Sequence, residues 1–516
     1  MVETNSLEAD FRPDSNDTEK NLAAANTAIV IGAGFGGLAS AIRLAARGIR
    51  TTVVDRLDIP GGRAAEFTRH TAGKTFRYDA GPTVLTAPIL FEELFTLLGE
   101  RLGDHVELMP VKPWYQMQFV DGSHLDYGGS TEQIQAEIAK FSTADAAAYP
   151  AYLAHSKKLF EKGYEELGTQ PFLNWRAMAR ALPAMARLRA DRSVYAVTAR
   201  YFKHEHIRRA FSIQPLLVGG NPFDTTSIYS LIHYLERKWG VWFVRGGMAR
   251  LVDALVALAT RHGVQFVWNA EVAAIEVENG LASGVRLRDG RTFAADNIVC
   301  NADPGYVLTR LLPDGHRKVD AIKKKQYSMS LFVWYFSTDI TYPDVAHHTI
   351  LFGATYREVL RKIFDTLELP EDLSIYLHRP SATDPACAPP GHDAFYALVP
   401  VPNLRSDIDW TTVADTFKAA LQATLEQRTL PGLGQHIVDE FHVTPEYFSK
   451  ELLSPWGAGF SITPTLMQSA GFRFPNRSAT IPNLYFAGAG THPGAGVPGV
   501  VTSAKVVERL MFGSVQ

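Results

Sequence analysis

The stretch from Ala28 to Asp55 constrains this chain more than any other. Ala28-Ile29-Val30-Ile31 is a short apolar, β-branched run that reads as a strand. Gly32-Ala33-Gly34-Phe35-Gly36-Gly37 follows it. Leu38 to Arg47 then carries apolar residues at helical spacing until Gly48. Thr51-Thr52-Val53-Val54 is a second strand, closed by Asp55. The glycines have separate physical duties. Gly32 permits the tight turn, Gly34 lets the backbone approach a pyrophosphate, and Gly37 lets the helix pack closely on the sheet. The helix start offers unpaired N–H groups and a partial positive charge to phosphates. Asp55 lies where an acid meets a ribose hydroxyl. Gly32, Gly34, Gly36, Gly37 and Asp55 are therefore candidate cofactor-binding residues. A glycine loop without a ligand is the alternative, and the strand–turn–helix–strand order disfavours it. The fold class is α/β with a Rossmann-type nucleotide domain.

Gly61-Gly62-Arg63 comes soon after the second strand. It resembles the second pyrophosphate-contacting element of the flavin amine oxidase superfamily, and the planar donor fork of Arg63 suits a phosphate. This points to FAD rather than NAD, with Gly62 and Arg63 as contacts. Near the C-terminus, Asn483 to Ala487 reads as a strand. Gly488-Ala489-Gly490-Thr491-His492-Pro493-Gly494-Ala495-Gly496-Val497-Pro498-Gly499 follows, then a helix from Val500 to Met511. Such a turn beside a flavin would stabilise negative charge that develops on the reduced ring. Gly490, Gly494, Gly496 and Val497 join the candidates. Between the two turns, Gly263–Val272, Ala273–Val277, Ser283–Leu287 and Asp296–Cys300 read as strands, with Asp289-Gly290 at a hairpin turn. In flavoproteins of this kind that block completes the FAD domain, with Val272 near the adenine. The FAD domain is then discontinuous, over 27–110, 245–305 and 470–512. An interleaved α+β substrate domain takes 111–244 and 306–469, with a helical, membrane-associating part over 150–210. Residues 1–26 read as a polar, disordered leader.

The whole stretch from about Ala28 to about Met511 resembles the bacterial and fungal type of phytoene desaturase. The resemblance rests on Gly32–Leu38, on Tyr78-Asp79-Ala80-Gly81-Pro82-Thr83 and on Leu217-Val218-Gly219-Gly220-Asn221-Pro222-Phe223. It also rests on Trp239-Gly240-Val241-Trp242-Phe243, Arg245-Gly246-Gly247 and Gly488–Gly494. It implies an FAD-dependent enzyme that takes 15-cis-phytoene through three or four desaturations to all-trans neurosporene or lycopene. It also implies a cytoplasmic protein held peripherally on the membrane. With no second GxGxxG and no redox-active cysteine pair (only Cys300 and Cys387), electrons are expected to leave the flavin directly, to oxygen, a quinone or another acceptor.

Proton handling is the least legible part. Asp145 is one candidate, with helix capping as its alternative. His492 is the other, orienting or polarising rather than titrating. No metal-ligand cluster stands out, because His347 and His348 would face opposite sides of a regular strand. Leu331-Phe332-Val333-Trp334-Tyr335-Phe336 is apolar on both faces, so it is a buried strand or a tunnel wall. Trp175–Phe202 mixes apolar residues with Arg176, Arg180, Arg187, Arg189, Arg192 and Arg200, which suits a membrane interface or a solvated helix face. The formal net charge of −3 supplies no global field for nucleic acid, and no long uncharged apolar run predicts a spanning helix. Three alternatives share this fold: a desaturase of C30 or hydroxylated or methoxylated carotenoids, a redox-neutral carotenoid isomerase, and a GDP-dissociation-inhibitor-like binder of prenylated proteins. The retained glycine turns disfavour the last.

Overall fold

The computed structural model describes residues 26–172, 183 and 185–513. The strand Thr27–Ile31 lies at the centre of a five-stranded parallel sheet. Its neighbours run in the order Leu484–Phe486, Asn297–Cys300, Thr27–Ile31, Arg50–Val54, Gln265–Val267. Strand neighbours drawn from three distant stretches of chain give an α/β nucleotide-binding architecture. Side chains alternate across this sheet as the pleat requires. Ala28 and Val30 face a layer of helices with Leu38, Ile42, Leu255 and Val501. Ile29 and Ile31 face the opposite layer with Val272, Ile275 and Val285. That second layer is a three-stranded antiparallel sheet, Val272–Glu278, Leu281–Leu287 and Thr292–Ala294.

A seven-stranded mixed sheet forms the other half of the molecule. Its order is Ile437–Val443, Ser330–Thr338, Asp393–Val401, Ile375–His378, His348–Leu351, Tyr115–Gln118, His124–Tyr127. The strand Ser330–Thr338 is buried along its whole length, and both sequence readings of it hold. Phe332, Trp334 and Phe336 pack into a core with Phe417 and Leu421 of the helix Trp410–Arg428. Leu331, Val333 and Tyr335 point the other way and line a cavity. Helices Thr143–Phe160 and Leu231–Trp239 cover the end of this sheet. Among the described residues no helix is long and apolar enough to cross a membrane.

The close approach expected at Gly37 is present. A β-carbon there would lie 1.9 Å from the Gly32 carbonyl oxygen, while Gly32 itself sits at φ +97°. Gly37→Ala should therefore lower the stability of the flavin-free protein by about 1–3 kcal/mol or more through overpacking. Chemical denaturation measures this; an unchanged midpoint contradicts the packing role.

Candidate functional site

At the C-terminal edge of the parallel sheet, both glycine turns open on one cavity of about 770 Å³. The helix Phe35–Ala46 starts from Gly34 with no side-chain cap. The helix Val497–Phe512 starts from Gly496, at φ +90°, again with no side-chain cap. Their leading N–H groups thus have no intrahelical partner and carry partial positive charge. Arg63 lines the same cavity. Its Nη2 donates to Ser454 Oγ at 2.9 Å, and its Nε is buried without a partner. A buried, unsatisfied cationic donor beside two uncapped helix starts matches an anionic ligand such as a pyrophosphate. Asp55 also reaches the cavity. Its carboxylate accepts the N–H groups of Ala33 at 2.6 Å and Leu57 at 2.9 Å. Burial raises its pKa, and those two bonds oppose the rise.

Of the residues expected to hold the cofactor, Gly32, Gly34, Asp55, Gly62, Arg63, Val272, Gly494, Gly496 and Val497 line the cavity. Gly36, Gly37 and Gly490 do not, and packing explains each of them. A β-carbon on Gly36 would meet Asn301 Nδ2 at 2.5 Å, and one on Gly490 would meet Pro304 Cδ at 2.5 Å. Arg473 has no sequence signal, yet it anchors the distal turn. Its Nη2 donates to the Ala489 carbonyl at 2.6 Å and its Nε to the Thr491 carbonyl at 3.0 Å.

Asp145 does not line the cavity. It is buried away from the cavity, and its carboxylate accepts the Lys203 N–H at 2.9 and 3.0 Å and the His204 N–H at 2.8 Å. The cap of its helix is Ser142, whose Oγ accepts the Asp145 N–H at 3.1 Å. Asp145 thus ties this helix to the segment before Glu205–Ala210. His492 does line the cavity. Burial drives its pKa down to about 4, so the ring is neutral at physiological pH. Its Nε2 is 2.9 Å from the Leu167 carbonyl and donates to it, which leaves Nδ1 as an acceptor without a partner.

Two clusters escaped the sequence reading. Glu236, on the helix Leu231–Trp239, is 1% exposed and lines the cavity. Its oxygens accept from Tyr115 at 3.0 Å and Tyr127 at 3.2 Å. Tyr127 also contacts His233 Nδ1 and receives the Gln214 Nε2–H at 3.2 Å, and His233 Nε2 lies 3.1 Å from the Tyr149 hydroxyl. Burial pushes Glu236 up to about 7 against the two tyrosine bonds, and pushes His233 down to about 3. The second cluster is His347, His348 and His378, whose ring nitrogens lie within 4.8 Å of one another, close enough to share a metal ion. The strand begins at His348, so His347 sits outside the regular pleat and the two neighbours do not splay apart. His347 and His378 contact each other through Nε2 atoms 3.1 Å apart, and burial lowers the pKa of all three rings.

The sheet, the two uncapped helix starts and Arg63 define a dinucleotide-binding protein. The family model for flavin-containing amine oxidoreductases matches residues 35–507, so the chain belongs to that family, and its cofactor is FAD. A lycopene-forming phytoene desaturase from Pseudescherichia vulneris is 47% identical over 95% of this chain and 99% of its own length. A neurosporene-forming phytoene desaturase from Cereibacter sphaeroides is 44% identical over 94% of each chain. An oxidoreductase structure from Methanosarcina mazei superposes with TM-score 0.61 over 93% of this chain and 98% of its own, at 16% identity, which establishes the fold alone.

Two outcomes test this assignment of residues. Arg63→Met should weaken FAD binding about 10- to 100-fold, the equivalent of one lost charge-assisted contact, read by flavin titration. Equal affinity would remove Arg63 from the cofactor site. Asp145→Ala should cost about 1–3 kcal/mol of stability by leaving two N–H groups unpaired. At a permissive temperature its turnover per bound FAD should stay near wild type; a specific loss of turnover would return Asp145 to the chemistry.

Proposed function

We propose that the protein desaturates phytoene to neurosporene or lycopene, with FAD as its redox cofactor and a quinone or dioxygen as the final electron acceptor. The observation that carries this reading is near-complete alignment, at 44–47% identity, with relatives that are phytoene desaturases. The cavity supports it. One continuous wall joins the glycine turns to the apolar residues Leu331, Val333 and Tyr335, which is the surface a long hydrocarbon needs beside a flavin.

Bound FAD supplies a two-electron acceptor for the carbon–hydrogen bond that is broken. The Gly34 helix start and Arg63 hold its pyrophosphate, Asp55 its ribose and Val272 the adenine end. Gly494, Gly496 and Val497 present the second helix start to the ring. The chain's remaining work is positioning and exclusion of water. Strand residues suit that work because a sheet backed by Trp410–Arg428 holds them in register.

The substrate dissolves in membranes, so the cavity must open toward a lipid surface. Leu466, Met467 and Phe472 line it and are also exposed, by 42, 65 and 42%. Arg187, Arg189 and Arg192 are exposed nearby in sequence to the cavity residue Met185; Arg176 and Arg180 lie outside the described residues. Exposed apolar side chains at the cavity and exposed arginines close in sequence to another of its lining residues suit peripheral docking on anionic lipid.

Protein supplied with FAD and phytoene in anionic liposomes should form coloured neurosporene or lycopene. Unchanged phytoene overturns the reading, and geometric isomers without new double bonds would mark an isomerase. Arg187→Glu combined with Met467→Asp should reduce co-sedimentation with those liposomes. Unaltered binding would place the contact elsewhere.

A further inference from the structure

Removing hydrogen from adjacent carbons requires an acceptor for a proton as well as for a hydride. Five acids line the cavity: Asp55, Glu236, Glu271, Asp303 and Glu451. Four of them are engaged elsewhere. Asp55 accepts N–H groups of the first turn and its flank. Glu271 pairs with Arg288 at 2.7 Å, and Glu451 pairs with Arg56 at 3.2 Å. Asp303 accepts the Gly305 N–H at 2.8 Å and sits in the field of Arg63 and Arg473. Glu236 alone lies in the aromatic half of the cavity, with no ion pair among the described residues. His492 offers a free Nδ1, but its pKa of about 4 makes it a far weaker base at neutral pH.

The bonds around Glu236 are consistent with an ionised carboxylate. The Tyr149 hydroxyl donates to His233 Nε2, His233 Nδ1–H donates to Tyr127, and Tyr127 donates to Glu236 Oε2. Tyr115 donates to Oε1. Every donor in the chain then points toward the carboxylate. If the carboxyl is protonated, its O–H donates to Tyr127, and the bonds through His233 to Tyr149 reverse as a unit. The same side chains thus accommodate both protonation states. The surrounding titratable groups are Tyr115 and Tyr127 from two strands, Tyr149 and Tyr152 from the helix Thr143–Phe160, His233 and Arg237 from its own helix, and His348, whose ring meets that of Tyr115 at a tilt.

We propose that Glu236 is the proton acceptor of the reaction, a role that rests on the desaturase reading above. Two C–H bonds on adjacent carbons break. One hydrogen leaves with its electron pair as a hydride to the flavin. The other leaves as a proton to a Glu236 oxygen, and its bonding pair becomes the π bond of the new C=C. Once a quinone or dioxygen has reoxidised the flavin, Glu236 releases the proton to solvent. A base titrating near neutrality is matched to this task.

The test compares wild type with Glu236→Gln and Tyr115→Phe, all loaded with FAD in phytoene liposomes. Glu236→Gln keeps shape and removes the base. It should retain flavin and phytoene, and it should form product about 100-fold or more slowly. Wild-type single-turnover flavin reduction should fall tenfold per pH unit below about 7 and level off above it, because only the carboxylate accepts a proton. Tyr115→Phe removes a donor that favours the carboxylate, so its inflection should move to higher pH with the plateau preserved. Infrared difference spectra should show a carboxyl band titrating near 7 that is missing in Glu236→Gln. Wild type and Glu236→Gln forming pigment at equal rates would overturn the role of Glu236 alone. Wild type that leaves phytoene untouched would overturn the desaturase reading and this role with it.

Discussion

Three distant stretches of chain meet around the side chain of Asn301. Its N–H donates to the Ile31 carbonyl at 2.8 Å, and its Nδ2 donates to the Ala487 carbonyl at 3.2 Å. The middle strand of the junction is thereby tied to the N-terminal strand and to the C-terminal one. Glycine is required on both flanks for the amide to fit. A β-carbon would lie 2.5 Å from Nδ2 at Gly36 and 2.6 Å from it at Gly488. This junction is what brings the Phe35–Ala46 and Val497–Phe512 helix starts to one cavity. Without it the two turns would be separate anion sites, and a ligand as long as FAD could not be held from both ends. The discontinuity of the nucleotide domain in sequence is thus a condition of the site.

What the sequence made legible follows the range of the forces involved. The first strand–turn–helix–strand unit was readable because each of its signals is local: a β-branched run, a turn needing positive φ at Gly32, a helix needing a close approach at Gly37. The distal turn was readable for the same reason. The setting of Asp145 is not legible in the sequence, because its partners are backbone N–H groups of Lys203 and His204, 58 and 59 residues away, which leave no trace in local pattern. Glu236 was missed because Glu236-Arg237-Lys238 looks like a solvated helix face. Arg237 and Lys238 do turn outward, Arg237 onto the Trp114 ring and Lys238 onto the Phe160 and Trp239 rings. The helical turn carries Glu236 inward beside Leu235. A strand that included both His347 and His348 would put them on opposite faces. The observed strand starts one residue later, and that shift is within the ordinary uncertainty of an element boundary.

The cavity is divided electrically as well as geometrically. Around the glycine turns it holds Arg63 and two uncapped, positive helix ends, with Arg473 behind the distal turn and the acids Asp55, Glu271, Asp303 and Glu451 engaged by N–H groups or arginines. Arg473 tolerates burial because four carbonyls accept from it, those of Ile462, Gln468, Ala489 and Thr491. In and behind the wall toward the seven-stranded sheet, Glu236 is surrounded by neutral histidines and tyrosines. Burial keeps His233, His347, His348 and His378 uncharged and keeps Tyr115, Tyr127 and Tyr376 protonated. An anionic cofactor is therefore favoured at one end and an uncharged hydrocarbon at the other, with no need for a charged group on the substrate.

A hydrocarbon offers no hydrogen-bonding handle, so the place of reaction must be set by the wall. The wall here is largely made of strands and short helices whose outer faces are buried in their own cores. In such surroundings a charge is costly wherever donors are lacking. The aromatic half supplies a pair of hydroxyl donors to a carboxylate at Glu236, and the hydroxyls are themselves held by His233, Gln214 and the sheet. A proton arriving in this half of the cavity is thus directed to one place. The same low-dielectric walls that shelter the polyene restrict where its C–H bonds can lose charge. With Glu236 as the proton acceptor we propose, selectivity among otherwise similar carbons would come from the fixed relation between the distal glycine turn and the helix Leu231–Trp239, which line one cavity wall.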